Sequence, residues 1–178
     1  VPDIRLRPLT PGDADQLHEI VSDWQVARQL GSWPWPPDPA YTASRARPFT
    51  GDGFVWGAFG EGRLLGTVGV TDGGLGYSFR LALAGQGLAT AVVSRAVDHA
   101  FAAGTPEIRA GAWADNAASI RVLEKLGFRR IGAGRELARA RGEETACIDF
   151  ALPARDWRGL RPDPRWTIAV DNRTESRT

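Results

Sequence analysis

The chain has 178 residues, 43% of them hydrophobic and 24% charged, which is the composition of one folded domain and excludes wholesale disorder and a coiled coil. Its 22 Lys and Arg stand against 21 Asp and Glu, a formal net charge of +1, so no overall field draws it to nucleic acid or an anionic membrane. One cysteine, Cys147, excludes an internal disulfide, and His18 and His99 fit no familiar zinc spacing with it, so no metal is expected.

Residues 4–7 alternate apolar and basic side chains as a half-buried strand does, and Thr10-Pro11-Gly12-Asp13 then sets a cap residue before a proline, the signature of a helix start. Ala14, Leu17, Val21 and Trp24 follow at helical spacing, and a second short helical run, residues 26–30, stops at Gly31. The prolines of residues 32–39 forbid helix and central strand, which predicts a stiff loop carrying Trp33 and Trp35. Residues 54–59, 64–70 and 75–81 read as three strands joined by turns, an antiparallel meander.

The period then changes. Leu88, Val92, Ala96 and Ala100 form a broad apolar stripe that predicts a helix from about residue 86 to Gly104. Residues 107–113 read as a strand, 116–126 as a helix closed by Gly127, and 128–131 and 145–152 as two last strands. This order predicts an α/β or α+β domain with a mostly antiparallel sheet covered by helices. Residues 1–153 are expected to form the domain and residues 154–178 an extension, ordered only where Trp157 or Trp166 docks. No apolar run approaches the roughly 20 residues that span a bilayer. The charged residues 1–7 lack the apolar middle of a secretory leader, so a cytoplasmic protein is expected.

Chemistry concentrates in Ala84-Gly85-Gln86-Gly87-Leu88-Ala89-Thr90, between a strand and the strongest helix. Backbone N–H groups there fall at the positive end of a helix dipole, which suits an anion. No Gly-Lys-Ser/Thr follows, and position 90 is Thr90 where a dinucleotide fingerprint needs glycine. Taken alone, the loop reads equally as a phosphate site or a glycine-rich helix entry.

Downstream lies Asn116-x-x-Ser119-x-x-x-Leu123-x-x-Leu126-Gly127-Phe128. These two motifs, with the opening Ile-Arg-Leu-Arg-Pro-Leu-Thr-Pro-Gly-Asp-Ala, resemble the GNAT superfamily of acyl-CoA-dependent N-acetyltransferases over residues 3–152, most of all its ribosomal-protein N-terminal acetyltransferase branch. The resemblance implies a mixed, mostly antiparallel sheet of six to seven strands with about four helices, splayed between the fourth and fifth strands. It implies acetyl-CoA as co-substrate, its pantetheine arm on the backbone of Leu81, Ala82 and Leu83, and its pyrophosphate on the amides of Ala84, Gly85, Gln86, Gly87, Leu88, Ala89 and Thr90. Asn116 and Ser119 would lie beside the pantetheine and the sulfur.

The chain departs from the family at the first motif position, where Ala84 replaces a longer side chain, and in having no tyrosine after Tyr77. Ser119 or water would then protonate the leaving thiolate. For the base the family's position offers Glu136, with Ala138 where an ungapped count falls. A lone Glu among Arg135, Arg139 and Arg141 is more often a surface ion-pair partner than a base, and Tyr77 reads either as core or as part of the acceptor site. Trp33 and Trp35 are candidate acceptor walls or a loop folded on its own sheet.

The expected reaction is direct acetyl transfer to a primary amine, a protein N-terminus ahead of a small molecule. Arg28, Arg45 and Arg47 against Asp38 in the acceptor-side segment disfavour polyamines. The alternatives are a non-catalytic acyl-CoA sensing module, and a nucleotide-binding domain using Gly85-Gln86-Gly87. A monomer or homodimer is expected.

Overall fold

Alternation of Ile4 and Leu6 with Arg5 and Arg7 makes β1 (Asp3–Pro8), with both apolar side chains fully buried. In the computed structural model, which describes residues 2–171, the chain then enters a short 3₁₀ turn and α1 (Ala14–Val21). Asp13 anchors this entry. Its carboxylate accepts from the Thr10 N–H at 2.8 Å and takes the Arg7 guanidinium in a two-pronged pair at 2.8 and 2.9 Å. Arg7 lies in turn over the Phe59 ring, 3.7 Å from its centre.

After α1 come α2 (Trp24–Ala27) and α3 (Pro39–Arg45), then the meander β2 (Gly53–Gly60), β3 (Arg63–Thr71) and β4 (Gly74–Phe79). The long helix α4 (Leu88–Ala102) leads to β5 (Glu107–Trp113), α5 (Ala117–Lys125), β6 (Arg129–Ala138), β7 (Glu143–Pro153) and β8 (Thr167–Val170). All eight strands form one sheet in the order β6-β7-β5-β4-β3-β2-β1-β8, antiparallel except for the β4·β5 and β1·β8 pairs. No helix among the described residues is long and apolar enough to cross a membrane.

Strand alternation divides the apolar residues between two faces. Trp56, Ala58, Val68 and Val70 point to one face and pack under Leu88, Val92, Val93, Ala96 and Val97 of α4 and Ile120 and Leu123 of α5. Phe59 belongs to the other, as does Leu64, which the register shift between Ala58 and Phe59 turns away from the Val68 face; both are covered by Leu17 and Ile20 of α1 and Val26 of α2. Each fully buried aliphatic side chain contributes about 1.5–3 kcal/mol, so the helices on both faces are held by the sheet more than by intrinsic propensity.

The predicted class holds, with eight strands and five helices among the described residues in place of six to seven and about four. The unexpected helix, α3, begins at the loop's last proline. Pro39 needs no N–H partner in a first turn, and the Asp38 carboxylate caps that turn by accepting from the Ala40 N–H at 2.9 Å. The unexpected strand, β8, pairs Ile168 with Ile4 across nearly the whole sequence, a partnership with no local signature. Both tryptophans of the C-terminal extension pack on the α4 face, and the Trp157 Nε1–H donates to Asp98 at 2.8 Å. Strand β4 stops at Phe79, short of the predicted residue 81, because the Arg80 side chain turns back to the Leu64 carbonyl at 2.7 Å and Glu19 at 2.9 Å.

Burial pushes the Asp13 carboxyl upward, but the Arg7 bonds and the Thr10 N–H outweigh it and hold it below the carboxylate value of 3.8. A carboxyl lowered on folding stabilises the fold fully above its unfolded value and loses that contribution as pH falls through the folded one. Asp13→Ala is therefore expected to cost about 2 kcal/mol in urea unfolding at pH 7. The gap between variant and parent should shrink as pH is lowered below 3.8; a gap that does not change over that range would show that the carboxylate charge is not what holds the turn.

Candidate functional site

Strands β4 and β5 run parallel but pair at one place, Gly74 with Arg109, where the Arg109 N–H donates to the Gly73 carbonyl at 2.8 Å. Beyond it they separate. The Arg80 N–H bonds to the Leu65 carbonyl on β3, so by alternation the main-chain groups of Leu75, Tyr77 and Phe79 face away from β3 and into the opening. On the other side β5 is paired with β7 throughout its length, which leaves the main chain of Gly111 and Trp113 facing the same gap. Two strand edges thus line a wedge inside a continuous sheet; the Trp113 carbonyl there is taken by the Asn116 N–H at 2.9 Å, while the inward main-chain groups of Tyr77, Phe79 and Gly111 bond to neither neighbouring strand.

At the wide end, the chain leaves β4 through the 3₁₀ turn Leu81–Leu83. This correction moves Leu81, Ala82 and Leu83 off the strand edge, and Leu81 is half exposed. Gly85 and Gly87 follow with φ of +76° and +82°, a conformation that frees the loop to turn its amides outward. The N–H groups of Gly85, Gly87, Leu88, Ala89 and Thr90 make no hydrogen bond within the described residues. They lie at the start of a helix of 15 residues, so the loop is a positively polarised cradle for an anion. The Gln86 side chain folds back onto the Ala82 carbonyl at 2.9 Å.

The start of α5 faces the wedge. Asn116 is its cap, the side-chain Oδ1 accepting from the Ser119 N–H at 3.1 Å. Ser119 Oγ lies 2.7 Å from the Tyr77 hydroxyl, which crosses from β4. The two residues singled out separately in the sequence are therefore hydrogen-bonded partners. Burial pushes the Tyr77 hydroxyl above its ordinary value of 10.0, outweighing the opposing effect of Ser119, so it is a proton donor throughout the neutral range.

On the opposite face of β5, β7 and β6 a groove of about 600 Å³ opens, reaching Gly74 and Leu75 at the wedge. Glu136 lines it, and a second carboxylate, Asp149, lies on the same face. Gly111 belongs to this face, as do Gly132 and Gly134, paired with Asp149 and Cys147, so much of the floor is bare backbone. Cys147 faces the groove too, where burial first and then the Glu136 and Asp149 carboxylates push its thiol up, leaving it a poor nucleophile.

Trp33 and Trp35 do not line this groove. Trp33 packs edge-on to Tyr41 and Trp35 tilts against Trp24, at 5.2 and 5.0 Å between ring centres. The helical side of the groove is instead formed by Gln29 and Gly31. Two arginines of the acceptor segment are directed elsewhere, Arg28 to Asp115 and Arg45 over Tyr41.

Arg141 grips Asp115 through two bonds of 2.7 and 2.9 Å and donates to the Arg28 carbonyl at 2.9 Å and the Gln29 side chain at 3.0 Å. Asp115 adjoins Asn116, so this clamp ties the β6–β7 turn, α2 and the start of α5 together. Its hydrogen bonds to Arg141 hold the Asp115 carboxyl below its ordinary value. Asp149 is the site residue that sequence reading missed, and Arg141, read there as a partner of Glu136, instead holds Asp115; only strand pairing and the closed hairpin bring them there. No cluster of His, Cys, Asp and Glu among the described residues is arranged to hold a metal ion.

With this geometry in hand, the chain matches the Acetyltransferase (GNAT) domain family over residues 3–129. Comparison with curated protein sequences finds no match. Among solved structures, a ribosomal-protein-S5-alanine acetyltransferase from Vibrio fischeri superposes with a TM-score of 0.71 at 19% identity, covering 86% of this chain and 94% of that one. RimJ from Mycobacterium smegmatis in complex with CoA-disulfide gives 0.70 at 19%, covering 88% and 87%. RimL, a ribosomal L7/L12 alpha-N-protein acetyltransferase in complex with coenzyme A, gives 0.70 at 16%, covering 83% and 92%.

Tyr77→Phe removes one hydroxyl and leaves Ser119 Oγ without this partner, at an expected cost of about 1 kcal/mol in urea unfolding. The chain has two tyrosines, so in an alkaline absorbance titration the variant should lose a phenolate transition lying above pH 10.0. Loss instead of a transition at or below that pH would contradict the buried placement.

Proposed function

The chain belongs to the GNAT acetyltransferase family, and from that premise we propose that it transfers an acetyl group from acetyl-CoA to a primary amine, a protein N-terminus ahead of a small molecule. The observation that carries this reading is the wedge between β4 and β5, with its free main-chain edges and the unbonded amides of Gly85, Gly87, Leu88, Ala89 and Thr90 at its wide end. An extended amide-containing arm fits the edge of Leu75, Tyr77 and Phe79, and a pyrophosphate fits the loop amides. The expectation that Leu81, Ala82 and Leu83 hold the pantetheine is replaced in this proposal by the strand residues before them. Bound acetyl-CoA would supply the activated acyl carbon as a thioester.

The chain's own groups then divide the work. The acidic side of the groove, Glu136 and Asp149, receives an ammonium group, and Glu136 takes its proton directly or through water. This charge pattern suits an amine better than the arginine count of residues 24–48 suggested. Because Tyr77 can donate to Ser119 Oγ, the Ser119 hydroxyl proton is left to meet a departing thiolate, and Asn116 fixes the turn that holds it. Main-chain N–H groups on the wedge edges face the place where carbonyl oxygen gains charge. Alignment of amine and thioester supplies much of the rate, so loss of one carboxylate slows the reaction without abolishing it.

The test is coenzyme A release from acetyl-CoA, followed by thiol detection, across short peptides with free N-termini and small primary amines. Peptide-dependent release is expected, with release by small amines alone moving the acceptor to that class. Ser119→Ala should lower kcat about 10- to 100-fold with coenzyme A affinity retained. Glu136→Gln should lower kcat, while Asp149→Asn should act mainly on KM for the amine. Silence across the panel with a Tm still raised by acetyl-CoA would favour the sensing reading, and absence of both would remove the cofactor assignment altogether.

A further inference from the structure

The C-terminal extension does more than cover apolar surface. It leaves β7, docks Trp157 on Asp98 of α4, and ends as β8 beside β1. Between these anchors it passes the N-terminus of α4. A Cβ placed on Gly87 would meet Arg165 Nη2 at 2.5 Å and Asp163 Oδ2 at 3.3 Å, so this strap lies directly on the glycine that opens the helix.

The loop itself, Leu81 to Thr90, contains no Lys or Arg. Free amides and a helix dipole amount to about half a positive charge, against a diphosphate with roughly two negative ones. Arg165 is a cation that the fold brings to that place. It is exposed, and its orientation is fixed: the Asp163 carboxylate accepts from its main-chain N–H at 3.0 Å, from Nε at 3.0 Å and from Nη2 at 2.6 Å. These bonds occupy one edge of the guanidinium and leave Nη1 without a hydrogen bond among the described residues. Pro162 and Pro164 flank Asp163 and stiffen the approach. Lys125, at the end of α5, is close enough for its charge to act on Asp163.

Resting on the functional reading above, we propose that the strap carries a phosphate-binding residue, Arg165, which pairs a phosphate of coenzyme A over the amides of the Gly85–Gly87 loop while Asp163 holds it in position. The guanidinium would use its free Nη1 edge, a charge-assisted contact that a lysine reproduces only in part. This assigns part of the coenzyme site to residues outside the matched family segment of 3–129.

Binding measured by calorimetry with coenzyme A and with dephospho-coenzyme A, on the full chain, tests it without reference to turnover. Arg165→Gln is expected to weaken coenzyme A binding about tenfold and to flatten its dependence on salt, with Arg165→Lys intermediate. Equal losses for the two ligands would place Arg165 on the pyrophosphate, and a loss confined to coenzyme A would place it on the ribose phosphate; either supports the proposal. Because Arg165 is exposed, the variant should keep the parent Tm in the absence of ligand. Binding within twofold of the parent at low and high salt would overturn the proposal, as would tighter binding, which would make the strap an obstruction. If the parent chain binds neither ligand, the functional reading itself fails and this inference falls with it.

Discussion

The separation of β4 from β5 after one shared position is the constraint on which the rest of the site depends. Elsewhere the sheet satisfies its main chain strand by strand, so this gap is the interior place where amides and carbonyls remain available to something other than protein. The gap persists because each strand is held from its outer side, β4 by β3 and β5 by β7. Arg80 reinforces it by tying the end of β4 to β3 and α1. Helices α4 and α5 both begin at the wide end, so their dipoles and caps are directed to the same opening.

The two faces of the wedge differ in chemistry because different elements cover them. The α4–α5 face is apolar and contributes one polar pair, Tyr77 with Ser119. The other face, beneath α1–α3, is uncovered where β6 and β7 extend past the helices, and the two carboxylates stand there. The proposed transfer, from a donor in the wedge to an amine in the groove, needs both faces in fixed register. The grip of Arg141 on Asp115 supplies that register, since it joins the acceptor-side turn to the residue preceding the α5 cap.

Legibility in the sequence followed the range of the interactions. The stripe of α4, the glycine stop of α5 and the unbonded loop between Ala84 and Thr90 are local, and the residues that cause them are neighbours in the chain. Ser119 and Tyr77 were each visible as chemistry, but their contact depends on the crossing of β4 by α5. Asp149 was concealed in an apolar run because its face is decided by pairing with Gly132. Trp33 and Trp35 were misleading for the opposite reason. Their aromatic neighbours, Tyr41 of α3 and Trp24 of α2, are close in sequence and satisfy them on the adjoining helices. Helix α3 was hidden by a proline that interrupts a helix internally yet begins one well, and β8 by a partner strand at the far end of the chain.

The pairing of Ile4 with Ile168 also sets an order on biosynthesis. As the polypeptide emerges from the ribosome, β1 can join β2 early, but its outer edge stays open until the strap is made. The same later segment brings Arg165 to Gly87, so a nascent chain holding every earlier strand and helix still has the longer β1 as its sheet edge and lacks the arginine proposed to bind phosphate. Relocation of the sheet's edge from β1 to the four-residue β8 and arrival of Arg165 beside Gly87 thus come in one step, after the strands and helices that precede them.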